Sequence, residues 1–284
     1  MSVVSATPRL NKATTPRSAQ RRPADRSGKS RNRWLVPASQ LAVALALLGV
    51  WQLVGSQQLL EPVLAKTPAQ SWDYFTNAFK SGELWTNTKS TMSAVLIAWV
   101  LAGVVGVVVG VALGLVPLAE RIINPFFDAA NAMPRLALAP LFIVVFGITT
   151  TAKVALAVTL VFFIVCSGAR AGVKSTDEEW LRLSTVLDAN RTQVFFKILM
   201  PVATPAIFAG LRLGLIYSLL GVVGSELISA RDGLGQLVAV YSSQFRMEAV
   251  YAILLLLAVI AVLLNQLMSV AERYLLRWQA PAQR

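Results

Sequence analysis

Apolar runs long enough to cross a lipid bilayer dominate this chain and limit what it can fold into. A spanning helix needs about 20 mainly apolar residues to cross a hydrocarbon core of about 30 Å. Six stretches of the 284-residue sequence reach or approach that length, at 35–54, 91–116, 136–148, 152–169, 205–228 and 250–270. The first begins after Trp34 and contains Trp51 as a second interfacial aromatic. Its long basic flank, with no small-residue cleavage pattern after it, predicts a retained span rather than a cleaved signal. The second is the most apolar and ends at Pro117, and the third is short and holds Pro140, which predicts a kinked or tilted helix. Composition agrees: 56% of residues are hydrophobic and 14% charged, where a soluble domain carries about 25% charged residues. The expected architecture is an all-α integral membrane protein with about six transmembrane helices.

The formal charge of +12 would point to nucleic acid in a soluble chain, but its distribution argues otherwise. Residues 1–33 hold nine basic residues and one acid, so most of the excess belongs to one segment that reads as a disordered basic tail. No nucleic-acid partner is expected, and the tail is suited to anionic lipid headgroups. Two apparent motifs in it fail on context. Arg21-Arg22 is followed by Pro23, Ala24 and Asp25 where an export signal needs large apolar residues. Gly28-Lys29-Ser30 resembles the end of a phosphate-binding loop, but Pro23 stands where its first glycine belongs and no strand precedes it. With both termini cytoplasmic, 19 basic residues fall inside, Arg121, Arg135 and five between Arg170 and Lys197 among them. Six fall outside: Lys66, Lys80, Lys89, Lys153, Arg231 and Arg246, as the positive-inside rule requires. Arg212 lies within the fifth run and is expected to snorkel toward headgroups or the adjoining loop.

The chain has little equipment for catalysis. It has no His, and Cys166, its only Cys, lies in an apolar run, which removes imidazole chemistry, zinc clusters and Cys–His nucleophiles. No catalytic residue, metal or bound cofactor is expected in this chain. Glu226 is an acid within an apolar run, beside Gly224; it reads either as part of a translocation path or gate, or as an interfacial residue at the end of the span. Gly106, Gly110 and Gly114, with Gly210, Gly214, Gly221 and Gly224, make flat stripes that serve either packing within one subunit or a sliding or dimeric pore-lining surface.

The connection 172–204 reads as two short amphipathic helices. Asp177, Glu178 and Glu179 suit a first turn, Trp180, Leu181, Leu183 and Leu187 an apolar face, and Val194, Phe195, Ile198 and Leu199 a second one. Pro201 and Pro205 are expected to stop the second helix and start the fifth span. Such helices lie on lipid or dock into another protein. Ile198-Leu199-Met200-Pro201, with Pro205 four on, resembles the second half of the coupling loop of bacterial ABC importer permeases, and Ala209-Gly210-Leu211-Arg212 resembles their usual entry to the fifth span. The first half departs: Asp188 stands at the glycine position, and Arg182-Leu183-Ser184 stands where Glu-Ala-Ala is usual. Asp tolerates left-handed backbone better than most residues, so the turn is expected to survive. Ser81-Gly82-Glu83-Leu84-Trp85, Met133-Pro134-Arg135-Leu136-Ala137-Leu138-Ala139-Pro140-Leu141, Phe146-Gly147-Ile148, Gly224-Ser225-Glu226-Leu227-Ile228 and Gly233-Leu234-Gly235 are similar to blocks of the nitrate, sulfonate, taurine and bicarbonate branch.

This resemblance implies a type I ABC importer permease fold with a cytoplasmic coupling-helix loop. It implies a subunit of the bacterial inner membrane that passes a small anionic solute, such as a sulfonate, taurine or nitrate. The partners it implies are a cytoplasmic ATPase subunit that holds ATP and Mg, an extracytoplasmic solute-binding protein, and a second permease subunit, forming a homodimer. The coupling residues it marks are Arg182, Leu183, Ser184, Leu187, Asp188, Phe195, Ile198, Pro201 and Pro205, with Phe195, Phe196 and Leu187 as the apolar anchor. The expected organisation is a basic tail at 1–33, a first span and external linker at 34–85, a permease domain at 86–272 and a C-terminal tail at 273–284. An ion-coupled secondary transporter is the alternative; it would need intramembrane acidic or His residues and internal repeats, and Glu226 is the acid on offer.

Overall fold

The computed structural model describes residues 32–57, 61 and 63–277, and among them there is helix and no strand. The basic tail and its two apparent motifs lie almost wholly outside these residues. The chain divides into two units, one ending at Val50 and the other beginning at Trp51. Helix α1, Asn32–Ser56, runs across that division; in its first part Val43, Leu45, Leu47 and Val50 are exposed, as suits a helix surrounded by lipid. The second unit contains α2 (Pro68–Lys80), α3 (Glu83–Leu115), α4 (Pro117–Ala132), a 3-10 turn Arg135–Leu138, α5 (Ala139–Phe146) and α6 (Thr150–Lys174). After these come α7 (Glu178–Val186), α8 (Arg191–Val194), a π turn Phe195–Leu199, α9 (Met200–Ile228), α10 (Leu234–Ser243) and α11 (Met247–Leu275). Among the described residues five helical stretches are long and apolar enough to cross a membrane, and there is a sixth if the bent pair of α4 and Arg135–Phe146 counts as one.

Two sequence expectations change. The third run, 136–148, is not one kinked helix: its regular part is α5, and it is preceded by α4, which meets the Arg135–Phe146 stretch at 82°. The periodicity of α4 is amphipathic, with Glu120, Arg121, Asn124 and Asp128 among its apolar residues, so an apolar-run criterion passes over it. The fifth span does not start afresh at Pro201 and Pro205, since helical structure is continuous from Arg191 to Ile228. Pro201 lacks an N–H and its ring crowds the preceding turn. Here that turn is widened: the Met200 N–H bonds the Phe195 carbonyl, five residues back, so the helix accommodates the proline without stopping.

The centre of the second unit is α6, which lies between α3 and α9. Lipid offers no hydrophobic drive for helices to associate, so contact depends on close packing and hydrogen bonds. The glycines supply the closeness. A Cβ at Gly110 would fall on the Cys166 carbonyl oxygen, one at Gly172 would come within 2.8 Å of the Ala203 carbonyl, and one at Gly168 within 3.1 Å of Gly210 Cα. Gly106, Gly114, Gly214 and Gly221 likewise pack against α6. The open choice for the glycine stripes is settled for these positions: they pack α3, α6 and α9 together within one chain. Polar bonds also tie α3 directly to α9, among them Trp99 Nε1 to the Leu211 carbonyl at 2.8 Å and Ser218 Oγ to the Val95 carbonyl at 2.8 Å. Gly110→Leu is expected to lower stability by about 1–3 kcal/mol or more through overpacking, while Val108→Leu on the exposed side of the same helix leaves it unchanged. Thermal unfolding of the detergent-solubilised subunit reads the difference.

Candidate functional site

The sequence marked two regions, and the structure places them at opposite ends of the α3–α6–α9 core. At one end is the loop between α6 and α9. Asp177 caps α7 by accepting the Glu179 N–H at 3.0 Å, and Glu178 and Glu179 fill its first turn as expected. Asp188 adopts φ +51°, the left-handed conformation anticipated for the glycine position. Around it the Ala189 N–H bonds the Ser184 carbonyl at 3.0 Å and the Asp188 N–H bonds that of Thr185 at 3.2 Å, the paired bonds of a Schellman turn. Asn190 and Gln193 then cap α8 reciprocally, each side chain accepting the other's backbone N–H.

This rigid turn distributes the marked residues over two faces. Ser184 is buried, its hydroxyl donating to the Leu181 carbonyl at 2.7 Å, while Arg182 reaches Glu178 at 3.2 Å on the surface. Ile198, Pro201 and Pro205 are half-buried where the loop joins α9. Phe195 turns toward its own chain, joining Leu199 and Met200 against Val111, Ala169, Val173, Ala203 and Ile207. Leu183, Val186, Leu187 and Phe196 are exposed, Val186 by 82% and Leu187 by 70%. Of the three residues expected to form an apolar anchor, Leu187 and Phe196 are therefore exposed and Phe195 packs inward, its ring edge-on to Phe196 at 4.9 Å.

At the other end, Glu226 is enclosed, 1% exposed. Its carboxylate accepts from Thr91 Oγ1 at 2.9 Å, from the Gly235 N–H at 2.9 Å and from Lys153 Nζ at 3.1 Å. Lys153 also donates to the Asp232 carboxylate and carbonyl, each at 2.7 Å, and Ser90 Oγ donates to Asp232 at 2.7 Å. The Leu234 N–H closes on Thr91 Oγ1 at 2.9 Å, and the Gly233 N–H on Asn87 Oδ1 at 2.7 Å. One buried ion pair thus fastens the start of α10 to α3, α6 and α9. Gly233, at φ +115°, is required here twice over, since a Cβ would also collide with the Glu226 carboxylate. Gly224 faces elsewhere: it meets the Leu136 side chain and lines, with Tyr217, Leu220 and Leu227, a groove of about 620 Å³. The two residues marked together in the sequence stand on different surfaces of α9.

Three further charges were placed incompletely by sequence. Lys153 read as an external residue, although a lysine in the first turn of an apolar span needs an acid at its own depth, and Glu226 was the acid available. Arg212, expected to reach headgroups or the loop, also has protein partners that sequence did not indicate: its Nε donates to Asn265 Oδ1 at 2.8 Å and its Nη1 to Glu272 at 3.5 Å, both on α11. Arg135 follows α4, which carries the chain back along α6, and its guanidinium stands 4.4 Å from the ring of Phe163, midway along that helix.

Removing one member of a buried ion pair strands the other, at a cost of about 3–5 kcal/mol. Lys153→Met is therefore expected to destabilise the subunit by that order, and Asp232→Asn by clearly less, because the Asp232 side chain is 53% exposed. Equal losses in thermal unfolding would contradict the arrangement. Hydrogen bonds from Lys153 and Ser90 hold the Asp232 carboxyl below the usual carboxylate range. Its contribution is fully present above the ordinary aspartate pKa of about 3.9 and lost as pH falls through the lower folded value. The deficit of Asp232→Asn relative to the parent is thus expected at neutral pH and to vanish in strong acid.

Residues 79–280 match the family described as "Binding-protein-dependent transport system inner membrane component". The taurine transport system permease protein TauC of Escherichia coli (strain K12) is 31% identical over 263 residues, 89% of this chain and 96% of that protein. The riboflavin transport system permease protein RibX of Chloroflexus aurantiacus is 35% identical over 253 residues, 89% of this chain and 94% of that protein. Among solved structures, the inward-facing MetNI methionine ABC transporter is similar in fold, with a TM-score of 0.59 at 18% identity over 65% of this chain and 92% of that one. The chain belongs to the family of binding-protein-dependent transport system inner membrane components.

Proposed function

We propose that this permease subunit serves an ATP-driven importer in which the loop 172–204 seats in a cytoplasmic ATPase subunit and an external binding protein delivers the solute. The observation that carries this reading is the form of the loop. It presents Leu183, Val186, Leu187 and Phe196 outward from a capped, hydrogen-bonded turn, and its second helix continues without interruption into α9. Exposed apolar residues on a rigid support are suited to a partner's groove. Movement of that partner is then carried along one helix into the membrane. ATP and Mg belong to the ATPase, and this chain contributes no catalytic group. With the loop in the cytoplasm, both termini are cytoplasmic and the Lys153–Glu226 cluster lies toward the outside, an orientation the excess of interior basic residues supports.

Two such subunits, identical in our reading, complete the path. The segment 86–272 is its permease domain, 34–85 the first span and external linker, and 1–33 and 273–284 the cytoplasmic tails. The solute is a small anion of the sulfonate kind, a reading supported by the taurine permease among the relatives. The walls of the groove beside Gly224 carry no acidic side chain, and Glu226 is turned away from it and neutralised by Lys153. An ion-coupled secondary transporter is less well served, because that buried pair leaves Glu226 no open access for a coupling ion.

Vesicles containing the permease, its ATPase and its binding protein are expected to accumulate labelled taurine only with ATP inside the ATPase compartment. Accumulation driven by a proton or sodium gradient without ATP would support the secondary transporter instead. The double substitution Leu187→Asp and Phe196→Asp is expected to abolish recovery of the ATPase with the permease while leaving the subunit folded, since both side chains are exposed. Unchanged recovery and uptake would remove the loop from the interface.

A further inference from the structure

We infer that Arg135 is an anion contact on the solute path, its guanidinium taking the sulfonate or carboxylate head of the solute as it passes the middle of the membrane. The inference rests on the reading of the solute as an anion. Depth is the first argument. Lys174 pairs with Glu120 of α4 at 2.5 Å, Arg170 bonds Asn124, and the Phe127 ring meets Phe163 at 4.6 Å, so α4 climbs beside α6 from its loop end to its middle. Phe163 lies about 20 Å from the Thr150 end of α6 and about 17 Å from the Lys174 end, at 1.5 Å per residue. The Arg135 guanidinium sits over that ring.

Compensation is the second argument. Lys153, Arg170 and Arg212, cations on the helices of the same bundle, each face a carboxylate. Arg135 has none within 4.0 Å among the described residues. Its Nη2 reaches Asn131 and the Ala130 carbonyl, its Nε is enclosed with no partner, and its Nη1 makes no hydrogen bond to a described residue. Charges within the membrane are costly, and those that persist face a cavity, a partner or a transported ion. Arg135 opens the 3-10 turn directly after the break at Met133-Pro134, and interrupted helices of this kind are tolerated at membrane depth where they are buried in protein or face a cavity.

Placement is the third. The next residue, Leu136, forms a wall of the groove of about 620 Å³ with Tyr217 and Gly224, a space bounded by neutral side chains. Arg135 is not itself a wall of that groove but adjoins it through Leu136, and an anion in a space with neutral walls gains from a fixed cation beside it. Guanidinium suits a sulfonate or carboxylate because its parallel N–H groups can engage two oxygens at once.

The test uses the assembled permease, ATPase and binding protein in vesicles, with Cys166→Ala as background and Arg135→Cys introduced into it. Labelled taurine is the probe. Arg135→Cys is expected to reduce uptake about tenfold to a hundredfold, the range for losing one charge-assisted contact, while binding-protein-stimulated ATP hydrolysis stays within about twofold. Modification with an aminoethyl thiosulfonate, which returns a positive charge, is expected to restore most uptake; a sulfonatoethyl reagent, which adds a negative one, is expected to restore none. Unchanged uptake in Arg135→Cys overturns the inference. So does equal rescue by both reagents, or loss of assembly, which would make Arg135 a structural residue held by Asn131, the Ala130 carbonyl and the Phe163 ring. If the parental complex takes up riboflavin by ATP hydrolysis but no taurine, the anionic reading of the solute has failed first, and intact riboflavin uptake in Arg135→Cys then removes Arg135 from the path as well.

Discussion

Close approach of α6 to α3 and α9 is the constraint on which the other features depend. It requires glycine or alanine wherever two backbones meet, as at Gly110 against Cys166, Gly172 against Ala203 and Gly168 against Gly210. Helices in lipid gain little by burying apolar area against one another, so near-contact of backbones and a few interhelical hydrogen bonds supply the attraction. With the three helices fixed side by side, the segments at their ends become fixed as well. The loop 172–204 is held at one end by Phe195, Leu199 and Met200 packing into the α3–α6–α9 cluster. At the other, Lys153 and Glu226 meet only because α6 and α9 are held in register.

The two ends use different chemistry for the same purpose. The loop is ordered by local devices, an aspartate cap, a left-handed turn and a reciprocal box, none of which needs the membrane. The opposite end is ordered by a buried charge pair with each remaining polar atom engaged, the condition under which such a pair is tolerated. Specificity of placement follows: α10 cannot slide along α3 without leaving Glu226 or Thr91 unsatisfied. Between these ends, α4 and α5 form a broken element, and Arg135 stands at the break.

The sequence revealed the parts whose signals are local. Apolar runs located α1, α3, α6, α9 and α11, although each helix extends past its run, as with α6 at Thr150–Lys174 against 152–169. Asp188 was legible as a left-handed position because a known spacing put a glycine there, and Asp can adopt the same backbone. What stayed hidden depends on distant pairings. Lys153 and Glu226 are 73 residues apart, and no periodicity links them. The amphipathic α4 carries too much charge to read as intramembrane, so Arg135 after it was assigned to a loop. Two prolines implied a stop near 201, but the π turn before Pro201 absorbed the missing bond instead.

Mechanically, these features meet in one element, the continuous helix from Arg191 to Ile228. Its first turns belong to the loop, its middle to the glycine contacts and its end to the Glu226 cluster. The central claim is that this helix moves as a single lever when the ATPase closes. Spin labels at Arg191 and Leu213, both exposed and on the same helix, test it directly in the assembled complex by pulsed dipolar distance measurement with and without ATP. The account predicts one narrow distance that is the same in both states. A second distance appearing with ATP would show that the helix breaks at the π turn, and would contradict it.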